Sequence, residues 1–169
     1  MATTGVTQVN RGFKWVKGAD STPVHLSFPM NTGSTIYNGN VLTLSYTSGS
    51  VRLATEADTT VFGVAAHAVT APGATEEIKV IPFRSDYVWE VVCAAGCSGG
   101  APESIVGHDA DLEIPTTGYH RVDTGAATLN YIIVGYHPDD KASTTRGNRL
   151  WVKCKPTMSI YEAAVPPGT

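Results

Sequence analysis

From Gly39 to Phe83 the chain is a relay of short apolar-alternating runs separated by turn residues, a rhythm compatible with little besides antiparallel β-structure. Val41, Leu42 and Leu44 lead into Ser48-Gly49, and Val51 and Leu53 lead out of it. Val61, Val64 and Ala66 form the next run after Asp58-Thr59, and Ile78, Val80 and Ile81 follow Pro72-Gly73. No window sustains a 3.6-residue apolar stripe, and Glu103 to Gly107 holds a single helical turn at most.

The second half continues in the same manner. In the run Asp86 to Val92, Tyr87, Trp89 and Val91 share one face, and Asp86, Val88 and Glu90 the other. Short strands are expected at Asp111-Leu112-Glu113, Tyr119 to Val122, Tyr131 to Tyr136 and Leu150 to Lys155. The continuous Ile132-Ile133-Val134 run predicts a strand buried on both faces, and Trp89 and Trp151, on alternating strands, are expected in the core. Pro138 to Asn148 reads as an exposed loop with a solvated tip at Asp139-Asp140-Lys141.

The fold class is therefore all-β: small antiparallel β-barrel or β-sandwich units with an extended N-terminal arm and C-terminal tail. The expected organisation is an arm over residues 1–20, a β-subdomain over 21–83, a second, barrel-like β-subdomain over 84–155 and an extended tail over 156–169. Phe13 and Trp15 stand in the arm among Asn10, Arg11, Lys14 and Lys17, without a hairpin partner nearby. Such aromatics suit docking, so Phe13 and Trp15, with Ile160 and Tyr161 of the tail, are the interface candidates.

Composition excludes several functions. Only 16% of the 169 residues are charged and the formal net charge is -3, which leaves no basic excess for neutralising phosphates, so no nucleic-acid partner is expected. The longest apolar runs, near Val61 to Ala71 and Val88 to Ala95, are too short to span a bilayer as a helix, and no membrane partner is expected. Met1-Ala2-Thr3-Thr4 lacks the features of an export signal, which points to synthesis in a cytoplasm. Three cysteines, Cys93, Cys97 and Cys154, in that setting favour reduced thiols.

No motif for chemistry survives inspection. Ala65-Ala66-His67 and Gly96-Cys97-Ser98-Gly99-Gly100-Ala101-Pro102 resemble the histidine and serine strings of chymotrypsin-like proteases, with Asp86 between them in order. His67 and Ser98 stand only 31 positions apart, however, and Cys97 occupies the place of the aspartate before the serine. Cys93-x3-Cys97 lacks a second zinc-ligand pair, and His108-Asp109-Ala110-Asp111 lacks calcium-loop spacing. His25, His120 and His137 stand singly, and no helix follows Gly96 to Gly100 to receive a phosphate. The sequence thus assigns no catalytic residue, no cofactor and no metal.

The pattern Gly39-Asn40-Val41-Leu42-Thr43-Leu44, Val51-Arg52-Leu53-Ala54, Val61-Phe62-Gly63-Val64-Ala65 resembles that of tailed-bacteriophage head decoration, or cement, proteins. In that pattern a G-(D/N)-apolar-apolar strand precedes a "GVA" strand, a Pro-Gly turn and a strand ending in proline. Asn40 replaces the commoner aspartate. The resemblance extends over roughly residues 35–155, through Tyr87-Val88-Trp89-Glu90-Val91, Asp111-Leu112, Val122-Asp123 and Val134-Gly135-Tyr136. It implies a non-enzymatic virion protein on the capsid exterior that binds the major capsid protein, associates with copies of itself as a trimer or dimer, and stabilises the shell. Two alternatives are a small β-barrel hydrolase using Ser98 and His67, and a carbohydrate-binding module using Trp15 or Trp151.

Overall fold

The computed structural model describes residues 12–30, 35–45, 48–70, 76–94, 102–114, 118–124, 130–140 and 149–163. The strands are β1 (Lys14–Lys17), β2 (Leu26–Pro29), β3 (Val41–Ser45), β4 (Ser50–Leu53), β5 (Gly63–Ala65), β6 (Glu77–Pro82), β7 (Val88–Val92), β8 (Asp109–Glu113), β9 (Arg121–Asp123), β10 (Tyr131–Tyr136) and β11 (Arg149–Cys154). A 3-10 turn at Pro102–Ile105 takes the place of the expected single helical turn, and a four-residue helix, α1 (Ile160–Ala163), ends the described chain. The all-β reading holds: the strands form two antiparallel sheets packed as a small sandwich, neither closed into a barrel.

The five-stranded sheet has the order β2-β6-β5-β3-β4, and the six-stranded sheet β1-β7-β11-β10-β8-β9. The punctuated stretch builds most of the first sheet. Ser48-Gly49 turns β3 into β4 with Gly49 at positive φ, and Leu42 faces Leu53 and Leu44 faces Val51. Around Pro72-Gly73, Ala65 and Val80 each stand seven positions from that dipeptide and pair across β5 and β6. Gly63 is required by proximity, since a Cβ there would meet the Ile81 carbonyl oxygen at 2.4 Å.

The five-stranded sheet is apolar on both sides. Val41, Val64 and Ile81 point to the six-stranded sheet, while Leu42, Ala65, Ile78 and Val80 form a second core with Met30, Ile36, Val51 and Phe62. The sheet curls around this second core, and Met30 at the end of β2 bridges Val51 of β4. α1 completes it: Ile160 is 6% exposed, and Tyr161 packs edge-on against Phe62 at 6.5 Å. The tail is consequently not extended through residue 163. Val61 donates to the Met158 carbonyl, Ile160 N–H donates to the Val61 carbonyl, and the Ser159 hydroxyl donates to the Phe83 carbonyl at 2.7 Å.

The core between the sheets is largely aromatic. Phe83, Tyr87, Trp89 and Tyr131 are fully buried, each such side chain contributing roughly 1.5–3 kcal/mol over exposure. The Tyr87, Trp89, Val91 face lies inward as the alternation requires. The Ile132-Ile133-Val134 run, by contrast, is buried on one side only. Ile133 is inside, Ile132 half-buried and Val134 40% exposed, because nothing among the described residues covers the outer face of the six-stranded sheet.

The arm is a strand over part of its length. β1 pairs with β7, Trp15 opposite Trp89 and Lys14 opposite Glu90, and forms one edge of the six-stranded sheet. Gly12 makes the approach possible: it adopts φ +69, and a Cβ there would meet the Gly39 carbonyl oxygen at 2.4 Å. Phe13 N–H donates to that carbonyl at 2.8 Å. The cysteines also depart from the expected reduced state, because Cys93 is disulfide-bonded, whereas Cys154 is buried and outside any disulfide. An odd count leaves one thiol over without preventing the others from pairing.

Candidate functional site

The interface candidates lie within the fold, which corrects their assignment as exposed anchors. Phe13 is 3% exposed, 5.1 Å from the Tyr131 ring and 6.0 Å from Phe83 between centroids. Trp15 is half-buried and edge-on to Tyr87. Ile160 is buried in the second core and Tyr161 half-buried against it. Aromatics flanked by lysines can signal a docking arm or an edge strand, and here β7 supplies the edge.

A different aromatic is directed outward. In β11 the alternation runs Leu150, Val152 and Cys154 inward, with Arg149, Trp151 and Lys153 on the opposite face, so Trp151 is half-buried and outside the core where it was expected. Its indole lies over Gly135, where a Cβ would stand 3.1 Å from the ring. A register shift in β10 between Ile133 and Gly135 brings these two residues opposite each other. Trp151 Nε1–H donates to Glu90 Oε2 at 3.4 Å, and Ile132, Val92 and the exposed Val134 accompany it amid Lys14, Arg149 and Lys153. The result is an apolar centre with a charged rim.

Of the residues expected at a solvated tip, Asp139 is exposed but Asp140 is engaged. Asp140 is only 5% exposed and accepts from Arg149 at three positions: the backbone N–H at 2.7 Å, Nε at 3.1 Å and Nη2 at 3.0 Å. The hydrogen-bonded Asp140 carboxylate is the main cause that raises the Arg149 pKa. Asp109 is likewise taken by Lys155 at 2.7 Å, and Asn130 donates to Asp111.

The protease-like constellation does not assemble among the described residues. Asp86 accepts from Ala19 N–H and Arg84 Nε, and holds no bond to His67. Cys97 and Ser98 lie outside the described residues. His67 instead lines a cavity of about 480 Å³ with His25, Ala66 and Lys79. Half of that grouping was legible in the chain, because the pairing of the successive strands β5 and β6 brings Ala66 beside Lys79, and Ala66 N–H donates to the Lys79 carbonyl. His25 joins only through the pairing of β2 with β6, where Leu26 faces Val80 and Ser27 faces Lys79.

One further histidine links distant parts of the sandwich. His120 is 2% exposed and its Nδ1 accepts Val41 N–H at 2.9 Å, so the ring is neutral with its proton on Nε2. Burial lowers its pKa to about 4. Beside it Asn40, also buried, accepts Tyr37 N–H at 2.6 Å and donates to the Gly118 carbonyl at 3.4 Å. The residue after Gly39 therefore tethers the start of β3 to the segment before β9, a task its amide performs with both a donor and an acceptor.

Comparison of the chain with protein-family models, with curated proteins and with solved structures finds no match.

Proposed function

We propose that the chain is a structural protein of the decoration type, which binds the exterior of a phage capsid and stabilises the shell by bridging copies of the major capsid protein. The observation that carries this reading is the outer face of the six-stranded sheet. Trp151 stands at its centre with Ile132, Val92 and Val134, and lysines and arginine surround them, the apolar-centre, polar-rim arrangement of a binding patch. The composition of the chain, with 16% charged residues, suits a surface that spends its working life against other protein.

Size limits what one copy achieves. Six strands at about 4.8 Å spacing and about five residues of height give a projected face of roughly 400 Å². A stable interface takes about 800 Å² per partner, so a single flat contact is weak and gains strength by repetition. Self-association into a dimer or trimer at a capsid symmetry axis supplies that repetition.

The test is addition of the purified chain to undecorated expanded heads. Saturable binding at fixed stoichiometry and a higher disruption temperature are expected, and Trp151→Ala should weaken binding roughly 30-fold per site, the scale of an aromatic anchor. Trp151→Ala alters no inward residue and should lower the unfolding midpoint far less than a truncation in the core. Absence of saturable binding to any such head would reject the reading. Glycan binding lost in the same variant, with no head binding, would transfer the face to carbohydrate recognition.

A further inference from the structure

We propose that the cavity lined by His25, Ala66, His67 and Lys79 is a binding site for a tetrahedral oxyanion, a phosphate group carried free or as a small ester. The three polar residues come from separate places in the chain: His25 precedes β2, His67 follows β5, and Lys79 lies within β6. Their convergence is a product of the strand pairing and needs no local motif.

The lining chemistry is one-sided. Lys79 brings a fixed positive charge with three N–H donors, and each imidazole brings at least one N–H donor even when neutral. Among the described residues no carboxylate lines the cavity. Glu77, on the same face of β6 two positions along, is the nearest acidic residue on that strand and forms no ion pair with Lys79 among the described residues. The side chains of His25, His67 and Lys79 have no hydrogen-bond or ion-pair partner among the described residues either.

Several other basic residues of this chain are held by carboxylates. Arg52 is held by Asp58 at 2.6 Å, Arg84 by Asp20 and Asp86, Arg149 by Asp140, and Lys155 by Asp109. In a chain of net charge -3, a lysine and two imidazoles gathered around one concavity bring a fixed positive charge and several N–H donors together. An oxyanion satisfies all three at once through charge-assisted hydrogen bonds. The depression, about 480 Å³ and open to solvent, exceeds what inorganic phosphate fills, so a group attached to the phosphate has room beside Ala66.

The experiment is titration of the full chain with inorganic phosphate and, separately, with a hexose phosphate, following the imidazole signals of His25 and His67 by NMR at constant pH. Sodium chloride of matched ionic strength is the control. Saturable movement of both signals is expected with at least one phosphate compound and not with chloride. Tighter binding of the hexose phosphate identifies an ester site, and equal binding identifies a free-anion site; both support the proposal. Lys79→Gln should weaken the binding about tenfold or more, the worth of one hydrogen bond to a charged group. Lys79 is exposed, and the unshifted resonances of the variant's core report that it folds. Chloride reproducing the shifts, unmoved imidazoles, or a Lys79→Gln variant that binds as well as the parent would overturn the proposal.

Discussion

Phe13→Ala is expected to lower stability by about 3–5 kcal/mol, the usual cost of removing a phenyl ring from a packed interior. Phe13 fills the space between Phe83 and Tyr131, and the chain enters that space only because Gly12 passes against Gly39. A domain of ordinary stability, about 5–15 kcal/mol, loses a large share of it in this one change. Deleting residues 1–17 goes further, since it removes β1 as well and uncovers the edge of β7, inviting aggregation. Urea unfolding followed by far-UV circular dichroism measures both. The Phe13→Ala midpoint should fall sharply with the slope conserved, and the truncated chain should fail to give a cooperative transition. A truncated chain with the parental midpoint would show that Phe13 and β1 are appendages. Trp15→Ala, at a half-buried position, should fall between Phe13→Ala and a surface change.

These expectations differ from what the chain suggests before its strands are paired, and the differences have a common origin. Period-2 alternation marks strands and the two sides of each, so β3, β4, β6 and β7 are legible, as is the burial of Trp89. Alternation alone does not say which side is covered. In β11, Trp151 shares its face with Arg149 and Lys153, and that company is the signal that it points outward. Pairing across long sequence separation is not written in local pattern at all. Lys14 to Lys17 reads as an arm until β7, more than 70 positions later, offers it an edge, and Ile160 reads as a tail until Val61 receives it. The basic cavity is intermediate: the antiparallel pairing of β5 with the next strand, β6, brings Ala66 and His67 near Lys79, while His25 depends on which strand joins β6 from the other side.

Stability should fall as pH drops from about 6.5 toward 4, and His120 should be the main cause. Burial depresses the folded-state pKa to about 4, whereas the ordinary value is 6.5. Between those two values the unfolded chain carries the proton and the folded chain does not, so the unfolded state gains with each step of acidification. The contribution is fully present above pH 6.5 and lost by about pH 4; a difference near 2.5 units corresponds to about 3 kcal/mol. Protonation also ends the bond to Val41 N–H, because Nδ1 becomes a donor facing a donor. Two carboxyl groups act in neighbouring windows. Glu113, whose pKa burial raises, opposes the trend near and above its ordinary 4.5. Asp58 is shifted down on balance: its own burial pushes upward, but bonds from Arg52 and Thr55 outweigh it, and its contribution is lost only below 3.8. His120→Asn separates the three, since its amide oxygen can accept the Val41 N–H and does not titrate. Urea midpoints measured from pH 7 to pH 4.5 should decline steeply in the parent and flatten in the variant. A variant with the parental slope would assign the acid sensitivity to the carboxyl groups instead.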